Sequence, residues 1–421
     1  MAKFEIEGGQ KLHGTIIISG AKNAALKILP ASILADTPSE ISNIPEISDI
    51  FTTIDILRSI GAKIEIENHT AIIETSGVKT HKPNADLIKH LRGSIVLIGP
   101  LLAKFGHAEF SQPGGCLIGA RPIDDHLDVF RQMGVKISLE NDKYILTGKP
   151  KAGDIVLSKL SVTATENAIM ATVLSPGTTR IHVAAAEPEI ADLADFLNKM
   201  GAKISGAGTH DITIEGVSRL RGTKHDIVPD RIEAGTYLMA AVATNSEIKI
   251  GPVMPDHLNI VIKKLQTAGA KIEIIEKEGQ KYLQTYKHKG LKAESIDTRT
   301  YPGFPTDLQS PFVTLMTQAE GTSQIFETLF EGRFLYLEEL TTMGAKAEII
   351  SQHIINITGE TSLEGKEIFS RDLRGGAALV IAGLVAKGKT IINGLGFIDR
   401  GYEDMDGKLR SVGAKIRRIE S

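Results

Sequence analysis

The 421-residue sequence has no tryptophan, a single cysteine at position 116 and only 5% aromatic residues. One cysteine cannot close an internal disulfide, which fits a reducing compartment and leaves Cys116 as a free thiol. With so few aromatic rings, the cores must rest on Ile, Leu, Val and Ala, a composition suited to helices packed on sheets. Long apolar runs are also missing. The longest, Gly375 to Ala386, falls well short of the roughly 20 residues that cross a bilayer, and Arg374 and Lys387 bound it. An excess of one charge is absent too, since 48 Lys and Arg face 51 Asp and Glu for a net charge of −3. Neither nucleic acid nor a membrane surface is therefore an expected partner, and any anion site must be local. The opening residues, Met1 to Glu7, alternate like a strand and lack the plan of a secretory signal, so a cytoplasmic location is expected.

A short signature recurs at Gly61-Ala62-Lys63, Gly134-Val135-Lys136, Gly201-Ala202-Lys203, Gly269-Ala270-Lys271, Gly344-Ala345-Lys346 and Gly413-Ala414-Lys415. The spacings of 73, 67, 68, 75 and 69 residues mark a repeat architecture. Each signature follows an amphipathic run, so its glycine reads as the left-handed residue that closes a helix. Alternating segments such as Ile64-Glu65-Ile66 and Ala71-Ile72-Ile73 then predict a hairpin. Upstream in each unit lies a helix apolar nearly all round, at 22–35, 91–105, 162–174, 231–244, 306–319 and 373–387, followed by a short strand. Such helices are normally buried. Six units exceed one core and divide into three and three. The expected fold is α/β, with a first domain at 20–229 and a second made of 1–19 plus 230–421. The N-terminal strand has no helix ahead of it and is expected to complete the last unit. The chain then crosses between domains twice, which makes a hinge.

Cations stand at the wrong ends of the buried helices. Lys22, Arg92, Arg231 and Arg374 lie at their starts, with Ser94, Ser161 and Thr165 nearby. Each costs about 0.3–1 kcal/mol against the helix dipole, unless an anion bound at the free N–H groups reverses the sign. Solvation accounts for any one of them, but their repetition points to a ligand with several negative charges.

The second unit carries extra residues between its strand and its signature: 24 from Phe110 to Gly134, against 20 from Ile41 to Gly61. They form Gln112-Pro113-Gly114-Gly115-Cys116-Leu117-Ile118-Gly119-Ala120-Arg121, a glycine-rich loop ending at Arg121-Pro122, where the proline suits a helix start. A lone cysteine is commonly an inert hydrophobe. On this loop, beside Arg121, a lowered thiol pKa would instead make it an acid or nucleophile. His126 reads equally as a surface residue or as part of a site, since no spacing defines a triad or a metal site. Asp307 and Asp372 begin buried helices, where capping explains either one, although a base for a hydroxyl would need a carboxylate there.

Taken together, Gly20-Ala21-Lys22-Asn23-Ala24-Ala25, Pro113-Gly114-Gly115-Cys116 with Ile118-Gly119-Ala120-Arg121-Pro122, Thr165-Glu166-Asn167, Pro302-Gly303-Phe304-Pro305-Thr306-Asp307, Asp372-Leu373-Arg374 and Ile398-Asp399-Arg400-Gly401-Tyr402-Glu403 resemble the UDP-N-acetylglucosamine enolpyruvyl transferases along the whole chain. The resemblance implies a two-domain inside-out α/β barrel of six βαβαββ-type repeats, three per domain, closing over substrates bound between the domains. It implies transfer of the enolpyruvyl group of phosphoenolpyruvate to the C3 hydroxyl of UDP-N-acetylglucosamine, the first committed step of peptidoglycan synthesis. It implies no metal and no cofactor, and leaves oligomeric state open.

By matching motif, the resemblance implies that Lys22, Arg121 and Arg400 hold phosphoenolpyruvate, with Arg92 and Arg374 supporting its charge. Asn23, Asp307, Arg333 and the segment Ser161-Val162-Thr163 would face the UDP-sugar. Pro122, Ile123, Asp124, Asp125, His126, Lys159, Leu329 and Asp372 would complete the binding set. Cys116 would be the loop acid, the residue that fosfomycin alkylates in this family, and Asp307 the base, with Lys22 and Arg400 also catalytic. Five positions depart from the pattern that the resemblance implies: Thr163 stands for a glycine, Asp125 for a leucine, Gly93 for an alanine and Gly375-Gly376 for alanine-serine. The related shikimate-pathway transferase shares fold and phosphoenolpyruvate, but the loop cysteine and Lys22-Asn23 favour the nucleotide sugar. A silent UDP-sugar-binding paralogue would not require Cys116, Lys22, Arg121, Asp307 and Arg400 together.

Overall fold

The computed structural model describes residues 2–111 and 122–420, which fall into two compact units. Among the described residues, one comprises those from Gly20 to Val228, and the other joins those up to Ser19 with those from Pro229 onward. Each unit has its own apolar core, built almost entirely from aliphatic side chains.

The first unit centres on the buried helices Lys22–Ala31, Ile98–Phe105 and Val162–Thr172, and the second on Arg231–Ala243, Gln309–Met316 and Leu373–Val385. Three sheets accompany each set of three helices. In the third repeat Thr178–His182 pairs antiparallel with Asp211–Glu215, which pairs with Lys203–Ser205, while Asp154–Val156 runs parallel along the other edge. The same order recurs as Lys224–Asp226, Ser39–Ser42, Thr70–Glu74, Lys63–Glu67 and as His13–Ile17, Glu247–Gly251, Gln280–Tyr286, Lys271–Lys277. In the last repeat Lys3–Glu7 lies between Lys389–Asn393 and Lys415–Ile419, antiparallel to both, so the N-terminal strand does complete the final unit.

All six signature glycines take positive φ, between 79° and 108°. The residue after each donates its N–H to the carbonyl five positions back, from Ala62 to Leu57 through Ala414 to Leu409, at 2.9–3.1 Å. This is the Schellman closure of a helix, and it requires a residue that tolerates the left-handed region. It also fixes the exit direction of the chain into the hairpin that follows.

Two buried helices begin differently from the uniform α-helices expected at 91–105 and 306–319. Arg92–Leu97 and Thr306–Leu308 are 3-10 turns that precede Ile98–Phe105 and Gln309–Met316. Pro100 and Pro311 lie in the first turn of those α segments. Lacking an N–H, they give no α-helical bond to the carbonyls of Val96 and Asp307, and the tighter turn is a way to enter the helix. Pro122 also differs from expectation: it lies outside the helix, which spans Asp124–Gln132 with Ile123 as its cap residue.

Candidate active site

In the first unit, Lys22 opens its helix with no acidic residue in the first turn, and its ammonium pairs with Asp49 at 2.8 Å. Both side chains are buried, so the carboxylate from the neighbouring helix Ser48–Ser59 offsets a charge that the helix dipole opposes. One turn on, the Lys27 ammonium donates to the Asn23 carbonyl at 2.8 Å and lies 3.5 Å from Glu166 of the helix Val162–Thr172. Glu166 is fully buried. Burial raises its pKa from 4.5 to about 8, with Glu189 and Glu187 adding to the effect against the opposing Lys27.

At the start of Val162–Thr172, the Thr163 hydroxyl lies 3.1 Å from His126 Nε2, and Asn167 Nδ2 lies 3.0 Å from His126 Nδ1. His126 is only 5% exposed. Burial depresses its pKa to about 3, and Arg92 and Lys159 act in the same direction while Asp125 opposes them. Asp125 itself pairs with Lys159 at 2.9 Å and accepts from Ser158 at 2.7 Å. Burial disfavours its charge, but those partners outweigh burial and hold the carboxyl below its usual range. Thus Arg92, Asp125, His126, Lys159 and Thr163 form one constellation, with Ser161 as the cap residue of the helix that carries Thr163. Pro122 and Asp124 are exposed and Ile123 is buried beside them.

In the second unit, Asp307 is held by two arginines. Its carboxylate pairs with Arg333, which also donates to Thr306 at 3.1 Å, and with Arg374 at 3.1 Å. Both arginines are buried. Arg374 stacks on the Tyr402 ring at 5.2 Å, and the Tyr402 hydroxyl shares a 2.9 Å hydrogen bond with Thr236. Asp372, not Asp307, caps a helix: it accepts from the N–H groups of Arg374 and Gly375 at 3.0 and 2.8 Å. Buried Glu327 accepts from Thr298 and Thr306, and also from the N–H of Leu329, which fixes the turn bearing that half-exposed leucine.

Arg400 lies in a segment anchored on both sides. Asp399 takes a two-pronged contact from Arg418 at 3.0 and 2.6 Å, Tyr402 is buried under Arg374, and Glu403 accepts from Ser19. Ser19 in turn accepts from Lys408, which also pairs with buried Glu233 at 2.6 Å. Asp307, Arg333 and Arg374 therefore gather at one carboxylate, and Tyr402, two residues after Arg400, lies under Arg374. Cys116 and Arg121 lie outside the described residues.

The comparisons with known proteins cover the chain from end to end. The profile of EPSP synthase (3-phosphoshikimate 1-carboxyvinyltransferase) matches residues 6–409. The chain belongs to the EPSP synthase family of enolpyruvyl transferases. Within the family it is 46% identical over 423 residues to the UDP-N-acetylglucosamine 1-carboxyvinyltransferases of Yersinia pestis (strain Pestoides F) and Yersinia pseudotuberculosis serotype O:1b (strain IP 31758), covering 100% of each chain. Among solved structures, the enolpyruvyl transferase NikO from Streptomyces tendae is 25% identical with a TM-score of 0.89, covering 100% of this chain and 99% of that one. EPSP synthase from Acinetobacter baumannii, at 18% identity, a TM-score of 0.77 and 100% coverage of both chains, shares the fold.

Thr163 meets His126, and Asp125 meets Lys159. Sequence reasoning missed Asp49, Glu327 and Arg418, each of which holds a candidate residue or its loop rather than being one. Asn167 was legible only as part of Thr165-Glu166-Asn167, with nothing to say what its amide would touch. Among the described residues no group of three or more His, Cys, Asp or Glu is arranged to hold a metal ion, and no helix is long and apolar enough to cross a membrane.

Proposed function

We propose that this enolpyruvyl transferase moves the enolpyruvyl group of phosphoenolpyruvate to the C3 hydroxyl of UDP-N-acetylglucosamine and releases inorganic phosphate. The observation that carries this reading is the 46% identity, over the full length of both chains, to enzymes named for that reaction. The loop thiol and the Lys22-Asn23 pair favour the same acceptor.

Lys22, Arg121 and Arg400 hold the phosphate and carboxylate of phosphoenolpyruvate, with Arg92 and Arg374 contributing positive charge. Asn23, Arg333, Leu329 and the segment bearing Ser161, Val162 and Thr163 receive the nucleotide sugar. Cys116 gives a proton to C3 of phosphoenolpyruvate, which makes C2 electrophilic, and the sugar oxygen attacks C2 as Asp307 takes its proton. Loss of a proton from the new methyl group and departure of phosphate restore the double bond. Positioned acid and base groups of this kind each contribute about 10²–10⁴-fold.

The arginine pair gives Asp307 a specific demand. A carboxylate held by two guanidinium groups is a weak base, so proton uptake needs at least one pair to loosen. An incoming anionic substrate competes for those guanidiniums and frees the carboxylate as it binds.

Phosphate release from phosphoenolpyruvate, measured with UDP-N-acetylglucosamine, with shikimate 3-phosphate and with neither, tests the reading on wild type and Cys116→Ser. Release that requires the nucleotide sugar and collapses, or becomes insensitive to fosfomycin, in the variant is the expected result. Binding of UDP-sugar without turnover, or turnover only with shikimate 3-phosphate, would overturn it.

A further inference from the structure

The Thr163, His126 and Asn167 side chains form a chain of hydrogen bonds whose direction can be read without seeing a proton. Asn167 Oδ1 accepts from the Gly99 N–H at 2.7 Å, so the amide oxygen must be the atom on that side. Its Nδ2 faces the Ile95 carbonyl at 3.0 Å and His126 Nδ1 at 3.0 Å. An amide nitrogen only donates, so His126 Nδ1 accepts and carries no proton. The proton of the neutral ring then lies on Nε2, the atom 3.1 Å from the Thr163 hydroxyl. His126 therefore donates and Thr163 accepts.

That direction leaves the Thr163 hydroxyl hydrogen aimed away from its only hydrogen-bond partner among the described residues. Thr163 is half-buried in the first turn of Val162–Thr172, where Ser161 provides no side-chain cap for the N–H groups. Arg92 and Lys159 both act on His126 as nearby positive charges. Around this hydroxyl the protein thus presents donors and cations, with Asp125 committed to Lys159 and Ser158. Such a surface selects an acceptor.

Resting on the function proposed above, we infer that Thr163 is a specificity-determining donor to an acceptor oxygen on the nucleotide half of the substrate, with His126 and Asn167 as positioning residues that fix its polarity. The acceptor is a uracil carbonyl or a diphosphate oxygen. A glycine at this position would have no such donor.

The test combines kinetics, binding and nitrogen-15 NMR of the imidazole, all on the full chain. Thr163→Val should raise KM for UDP-N-acetylglucosamine about 3- to 10-fold, with smaller changes in kcat and in the KM for phosphoenolpyruvate, and be rescued by Thr163→Ser. In the wild type, His126 should show an unprotonated Nδ1 and a protonated Nε2. An unchanged nucleotide-sugar KM in the valine variant, an equal loss in the serine variant, or a protonated Nδ1 would overturn the inference. Calorimetry with UDP and with uridine locates the acceptor: a loss with both puts it on the nucleoside, and a loss with UDP alone puts it on the diphosphate. If wild type binds UDP but releases no phosphate, the proposed reaction fails while the UDP affinity of Thr163→Val still decides the role of the hydroxyl.

Discussion

Glu166→Gln should make the protein less sensitive to alkaline pH, with an advantage in stability over wild type that grows as pH rises from 4.5 to about 8. In the unfolded chain Glu166 ionises near 4.5, whereas in the fold burial and the neighbouring Glu189 and Glu187 move its pKa to about 8. Between these values the folded state keeps a proton that the unfolded state has released. Stability is therefore full below pH 4.5 and declines as pH rises to about 8. At about 1.36 kcal/mol per pH unit, this difference corresponds to a loss on the order of 5 kcal/mol across that window. Glutamine resembles the protonated acid in size and neutrality, leaves Lys27 bonded to the Asn23 carbonyl, and has no proton to lose. Urea unfolding followed by far-ultraviolet circular dichroism at pH 6 and pH 9 reads the effect, with hydrogen exchange of Lys22–Ala31 and Val162–Thr172 assigning it to the first unit. The variant should be more stable than wild type by about 2 kcal/mol at pH 6 and by about 5 kcal/mol at pH 9. If Glu166 is instead ionised and its attraction to Lys27 prevails, the variant will be destabilised by about 3–5 kcal/mol at pH 6, and the reasoning from burial fails.

Two further outcomes follow from the second unit. Asp307→Asn should lower kcat for phosphate release by about 10²–10⁴-fold, measured at saturating substrates, and a loss below about tenfold would remove Asp307 from the role of base. Arg418→Met breaks the two-pronged hold on Asp399 and should raise KM for phosphoenolpyruvate through misplacement of Arg400, by about tenfold, with Arg418→Lys recovering little because an ammonium cannot reproduce the fork. An unchanged KM in the methionine variant would show that the Arg400 loop does not depend on Arg418.

The repeats were legible because each ends in a residue type that physics nearly dictates. A left-handed position after a helix calls for glycine, and all six signature glycines occupy it. The buried helices were legible from apolar residues on every face, although local sequence did not show that Arg92–Leu97 and Thr306–Leu308 would tighten into 3-10 turns ahead of a proline. The candidate site was legible as residue types at helix starts, and the fold brings Asp307, Arg333 and Arg374 together from segments far apart in sequence. Partners such as Asp49 and Arg418 carried no local signal, because an acid near a helix start or an arginine on a terminal strand has ordinary reasons to be there. Only tertiary contact distinguishes those reasons from a supporting role.

The placement of Lys3–Glu7 inside the last sheet has a consequence for synthesis. Ile6 pairs across to Thr390 on one side and to Ile416 on the other, so an early strand must wait for nearly the whole chain before its final neighbours exist. At roughly 5–20 residues per second on the ribosome, that wait is roughly 20–80 s for the Ile6 to Ile416 pair. Gly20–Val228 is continuous and can fold during this interval. Phe4 and Ile6, fully buried at the end, remain without their native cover until then. The nascent protein thus carries an unpaired apolar strand ahead of a finished domain, which makes that short segment the natural place for a chaperone to bind and for a prematurely terminated chain to aggregate.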